Sequence, residues 1–228
     1  TLYRTVRYTP FMNRHASTFI ETEFTERQGA VLESALRLLV DGGEKAITTA
    51  GIARAANCSK ESLYKWFGDR DGILAAMITY QASKVRVTAR PGGPSLSPEA
   101  FRAELETFAD DLLSVLSGKT SLALNRLAIG QASEGGSPLS QLLIERGRNM
   151  VRDRAMVLLQ SGHLADVLRF DDRAEAFDTL YGLIVGDFHV RMLLGEKVPA
   201  LRDELAQREH VLAAIDKFYL FYSKDRLS

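Results

Sequence analysis

The sequence predicts an all-α protein, a compact three-helix head joined to a larger helical body. Three observations carry that prediction. No segment alternates apolar and polar residues with the period of two that a half-buried strand requires. Capping residues and glycine stops punctuate the chain at helical intervals. The stretch "ARPGGPSLSP", residues 89–98, holds two glycines and three prolines in ten positions and is the strongest boundary in the chain. The expected organisation is an N-terminal extension over 1–24, a head with its connecting helix over 25–90, and a body over 91–228.

The head and its connecting helix read as four helices in order. Thr25 is an N-cap with Gln28 three residues on, a capping box. An apolar stripe of Val31, Ala35, Leu38 and Leu39 follows, and Gly42–Gly43 stop it. Thr48 opens a short helix through "TTAGIARAA", and Ser59 caps a third through "SKESLYKW". Asp69 opens a fourth, its carboxylate favourable at the positive end of the helix dipole. In the body, Ser97–Pro98 start an amphipathic helix with Phe101, Leu105, Phe108, Leu112 and Leu116 on one face, and Gly118 ends it. A long helix is expected after Ser137–Pro138. An almost wholly apolar one is expected around 173–194, and a last one around 200–222.

Composition narrows the function classes. With 46% hydrophobic and 25% charged residues, the 228-residue chain is ordinary for a globular protein. The opening "TLYRTVRYTP" has no apolar run of the secretory kind. The longest apolar stretch, "TLYGLIVGDFHVRMLLG", is interrupted by Asp187, His189 and Arg191, so it reads as a buried helix and not a membrane span. One cysteine and four scattered histidines leave no disulfide and no metal-ligand spacing, which fits a cofactor-free protein of the reducing cytoplasm. Net charge is zero, yet residues 1–90 carry 13 Lys/Arg against 9 Asp/Glu and the remainder 16 against 20. A basic front and an acidic back suit a protein whose front alone meets a polyanion.

The spacing from Thr48 to Phe67 fits a helix-turn-helix. Ile52, Ala53, Ala56, Leu63 and Phe67 form its small core, and Asn57 sits where the chain must reverse in a left-handed conformation. Lys60, Glu61 and Ser62 then fall in the first turn of the second helix, within reach of base edges in a major groove. Tyr64 and Lys65 suit phosphates. Thr48 and Thr49, at a helix N-terminus, can present hydroxyl and N–H groups to another phosphate. Arg70 opens the next helix with the same potential, Trp66 can stack on the sugar-phosphate wall, and Ser59 caps the reading helix. Arg4, Arg7 and Arg14 of the extension are candidates for a minor-groove arm.

The segment "ITTAGIARAANCSKESLYKWFGDRDGILAAMI" resembles the DNA-binding region of the TetR/AcrR family of bacterial transcriptional regulators. The resemblance covers roughly residues 25–80 and rests on Thr48, Ile52–Ala53, Ser59, Leu63–Tyr64, Trp66–Phe67 and Arg70. Asn57 replaces the usual turn glycine and Cys58 the usual branched residue, while Glu61 stands where relatives often carry a small one. The resemblance implies a homodimeric, helix-turn-helix DNA-binding repressor with double-stranded DNA as partner. It also implies a two-fold bundle of the last two long helices and a body cavity for a small hydrophobic effector. Candidate cavity residues are Phe101, Phe108, Leu112 and Leu116, with Arg126, Arg148, Arg152, His163 and His189 as polar hooks. Candidate dimer residues are Tyr181, Gly182, Val185, Gly186, His189, Phe218 and Tyr222. Effector binding would be transmitted by the fourth helix through a hinge at 91–98. Two other readings stay open: a relative whose head no longer binds DNA, and an all-α enzyme. Against the enzyme, Asp110–Asp111 and Asp171–Asp172 are sequence neighbours whose side chains diverge on a helix, and no phosphate loop or HExxH motif is present.

Overall fold

The computed structural model describes residues 24–132 and 137–224, so the arginines of the extension lie outside the described residues. Every regular segment there is helical. One isolated antiparallel bridge, Leu168 to Ser223, ties the turn after Gly162 to the C-terminal end.

The head contains α1 (Glu26–Gly42), α2 (Thr49–Ala55), α3 (Lys60–Phe67) and α4 (Arg70–Ser83). Each starts where a short polar side chain can satisfy an orphan N–H. The Thr25 capping box is complete, Thr48 accepts from Gly51, Ser59 from Ser62, and Asp69 from Gly72. Leu32, Leu36, Ile52, Leu63 and Met77 are almost fully buried and weld the four helices together.

The body contains α5 (Pro98–Ser117), α6 (Lys119–Gln131), α7 (Pro138–Leu142), α8 (Asn149–Leu164), α9 (Arg173–Val185), α10 (Phe188–Leu193) and α11 (Glu204–Tyr222). Between α7 and α8, Leu143–Arg148 wind as a π-helical turn. Such turns are rare and recur beside functional sites. The core of the body gathers the apolar stripe of α5 with Ala155, Leu158, Leu180, Ile184, Val211 and Phe218.

One expectation differs from the structure. The helix over 173–194 is not continuous. Gly186 adopts φ +49 and its N–H closes on the Gly182 carbonyl at 3.0 Å, ending α9, and the chain restarts as α10. The connection from α4 to α5 is anchored just ahead of the 91–98 stretch expected to act as a hinge. Arg86 grips Asp111 with a two-pronged pair at 2.8 Å each, and the Thr88 and Ala89 N–H groups donate to Glu104. Arg154 of α8 caps the end of α4 by donating to the Ala82 and Val85 carbonyls at 2.7 and 3.1 Å.

Packing also crosses the glycine- and proline-rich boundary. Ala82, Val85 and Ala89 belong to the body core, while Leu124, Ala128 and Leu139 of α6 and α7 belong to the head core.

Candidate functional site

The first feature is the outer face of α2 and α3. Asn57 takes φ +49 in the turn between them, a conformation asparagine tolerates better than other non-glycine residues. Arg27 of α1 holds that turn from behind, donating to the Ala56 and Asn57 carbonyls at 3.2 and 2.7 Å. Its sequence position gave no sign of this role, because the contact spans 29 residues and follows only from how α1 crosses α2. With Leu63, Ile52, Ala53 and Ala56 turned inward, α3 leaves Lys60, Glu61, Tyr64 and Lys65 exposed, Tyr64 at 53%.

The remaining predicted residues of this face are placed as follows. Ser59 and Ser62 are within 3.0 Å hydroxyl to hydroxyl, so both serve the first turn of α3. Thr48 is exposed and Thr49 half-buried at the start of α2. Trp66 is half-buried edge-on to Phe67, with centroids 6.1 Å apart. Arg70 is exposed but makes contacts within the head, its Nε donating to the Ile47 carbonyl at 3.4 Å and its Nη2 lying 3.6 Å from Glu44. Cys58 is half-buried, and burial pushes its thiol up, away from thiolate reactivity.

The second feature is a cavity of about 240 Å³ between α4 and the body. Ile78, Ala82 and Val85 form its α4 side, and Leu112, Val115 and Leu116 its α5 side. Leu124 comes from α6, and Leu143, Ile144 and Gly147 from the π-helical turn. Ile78 and Leu124 also belong to the head core. Polar atoms come from Ser121, Asn125, Arg148, Tyr181 and His189. Burial lowers the His189 pKa below the usual histidine range, partly offset by the Leu116 backbone, and its Nδ1 is buried without a hydrogen-bond partner. Burial raises the Tyr181 phenol, and the nearby Arg148 charge pulls it partly back.

Several predicted cavity residues lie elsewhere. Phe101 and Phe108 are core residues near the N-terminal half of α5. The Phe101 ring fills a notch over Gly162, where even a methyl group would meet it at 2.4 Å. Arg126 turns outward to the Leu193 and Met192 carbonyls at 3.0 and 2.7 Å, holding α10 to α6. Arg152 lies over the Phe177 ring, and His163 packs on Phe170 at the far end of α8. Helical periodicity identified an apolar face on α5, but only its C-terminal turns, Leu112 and Leu116, reach the void. The cavity residues of α4 and the π-helical turn carry no local signature.

Some predicted dimer residues are committed within the protomer. Phe218 is 0% exposed and Val185 nearly so, while Tyr222 meets the Thr179 hydroxyl at 3.1 Å and stacks near Phe218. His189 and Tyr181 face the cavity, and Gly186 is a helix stop. Gly182 is exposed with open space around it.

Comparison with known proteins gives this architecture its family. Residues 31–77 match the family described as bacterial regulatory proteins, tetR family. Residues 103–224 match the AefR-like transcriptional repressor C-terminal domain. The chain belongs to the TetR family. A TetR transcriptional regulator from Agrobacterium tumefaciens is 55% identical, with 89% of this chain and 97% of that one covered at a TM-score of 0.75. A TetR-family regulator from Mesorhizobium loti shares the fold at 18% identity, covering 86% and 96%, with a TM-score of 0.64. The HTH-type regulator YvkB of Bacillus subtilis is 23% identical over 180 residues, 76% of this chain and 87% of its own. The resemblance in the reading helices thus extends through the body. This TetR-family transcriptional regulator has the fold and domains of a non-enzymatic DNA-binding protein. Among the described residues, no helix is long and apolar enough to cross a membrane and no His/Cys/Asp/Glu cluster could hold a metal.

Proposed function

We propose that the protein is a homodimeric repressor of the cytoplasm that grips a palindromic operator with two copies of α3 and lets go when a small effector fills the body cavity. The observation that carries the DNA assignment is the sidedness of α3. Leu63 is fully buried while Lys60, Glu61, Tyr64 and Lys65 face solvent within the first two turns of a helix capped by Ser59. Lys60, Glu61 and Ser62 meet base edges. Thr48, Thr49, Tyr64 and Lys65 meet phosphates, and Ser59 and Trp66 shape the approach. Arg70 contributes by holding the 44–47 corner in place.

One such head binds weakly, so affinity and spacing come from pairing two. The outer face of α9 and α11 suits the second copy. Gly182 is open, and Leu205 and Leu220 on α11, each 68% exposed, leave apolar surface uncovered. The extension and head over 1–90 read DNA, and 91–228 sense and dimerise.

The test is selection of bound duplexes from a random library, followed by mobility shifts at several salt concentrations. The expected result is a two-fold symmetric site. Tyr64→Ala with Lys65→Ala should weaken binding to every selected duplex alike and lower the log-salt slope by about 1 for each phosphate no longer neutralised. No enrichment of any duplex over random DNA would overturn the assignment, and an effect on one operator variant alone would remove the phosphate roles.

A further inference from the structure

We infer that the cavity takes a small apolar molecule ending in a single carboxylate, the carboxylate held by Arg148 at the mouth and the apolar part inside. This rests on the reading of the cavity as an effector site and adds the chemistry of its occupant. Three observations support it.

The first is where the cavity opens. Ile144 and Arg148 line it and are also exposed, Ile144 at 53%, which puts the mouth at the π-helical turn. Deeper residues such as Leu112, Leu124 and Val151 are buried and apolar. A molecule entering there meets one polar end and one apolar interior.

The second is charge. Among the described residues, no aspartate or glutamate lines the cavity and no carboxylate pairs with Arg148. Neighbouring arginines are differently occupied: Arg126 on carbonyls of α10, Arg152 over Phe177, Arg154 on the end of α4. His189, its proton affinity lowered by burial, adds no competing positive charge. Among the described residues of the lining, Arg148 is therefore the one permanent cation. A guanidinium at the rim of an apolar hole favours a planar anion that can accept two N–H groups. It leaves an amine with no counter-charge in the lining.

The third is size. A cavity of about 150 Å³ accommodates benzene. The roughly 240 Å³ here therefore suits one substituted ring or a chain of about eight carbons.

The experiment is calorimetric titration of the full chain with octanoate, benzoate, octanol and octylamine. Octanoate and benzoate distinguish a flexible chain from a ring as the source of the carboxylate. The expected result is that at least one carboxylate binds about three- to tenfold more tightly than octanol, the range for a partly exposed charge-assisted pair, and octylamine more weakly still. Arg148→Gln should bring the carboxylate down to the level of octanol and leave octanol unchanged, a selectivity that a misfolded variant could not show. Equal binding of carboxylate and alcohol in the native chain, or an equal loss of both in Arg148→Gln, overturns the carboxylate but keeps the cavity as a binding site. Binding of none of the four probes, or undiminished binding when Leu116→Trp fills the void, overturns the cavity reading and this inference with it.

Discussion

Two side chains show how much of the protein's behaviour is decided by single residues in unusual surroundings. Arg27 lies far from α3 in sequence, yet it braces the turn on which the angle of α3 depends. His189 sits in the cavity wall with its charged form disfavoured by burial. The linkage has a definite sign. Above the unfolded value of 6.5, both folded and unfolded chains carry His189 neutral, and its titration contributes nothing to stability. As pH falls below that value, the unfolded chain gains a proton that the folded one resists, so stability is lost until the lower folded pKa is passed. His189→Leu should therefore lose less stability than the native protein between about pH 7.5 and 5.5, read as the shift in urea midpoint at the two pH values. An identical shift in both would show that the imidazole is not held neutral. The sequence showed His189 as a polar interruption in an apolar run. That it lines a void depends on α9 ending just before it.

At the scale of helices, the sequence was most legible where local chemistry decides. The four N-caps of the head and the Ser97–Pro98 start of α5 lie where short polar side chains demanded them, because a cap bonds to residues two or three positions away. The turn at Asn57 was legible for the same reason. Asn57→Ala should cost about 1 kcal/mol, since alanine loses asparagine's tolerance of positive φ, whereas Asn57→Gly should cost nothing or stabilise slightly. Urea denaturation separates the two. Equal destabilisation by both would mean the asparagine side chain matters more than its backbone. Legibility failed where long-range packing decides. Gly186 looked like a small residue on a helix face, and only in the fold does its left-handed conformation make it a terminus. The π-helical turn at Leu143–Arg148 packs against α4, and no pattern in "LIERGR" announces it.

At the scale of the whole molecule, dimerisation can be tested without disturbing the protomer. Gly182 is exposed, helical and has nothing within 4 Å of where a side chain would start. Gly182→Leu should fold normally and sediment as a monomer, with operator affinity falling as half-site cooperation disappears. A dimer of unchanged mass would move the interface off α9. The glycine- and proline-rich stretch at 89–98 marks a boundary in the sequence, but it could not show that α6 and α7 reach across to support the helices on its other side. That support has a consequence. Leu124 and Ile78 at the same time line the hollow and belong to the core shared by α1 to α4. If the hollow is the effector site proposed above, a guest bulky enough to push either one presses directly on that core. Detection and response would then need no relay of intermediates, because a single layer of hydrocarbon serves both.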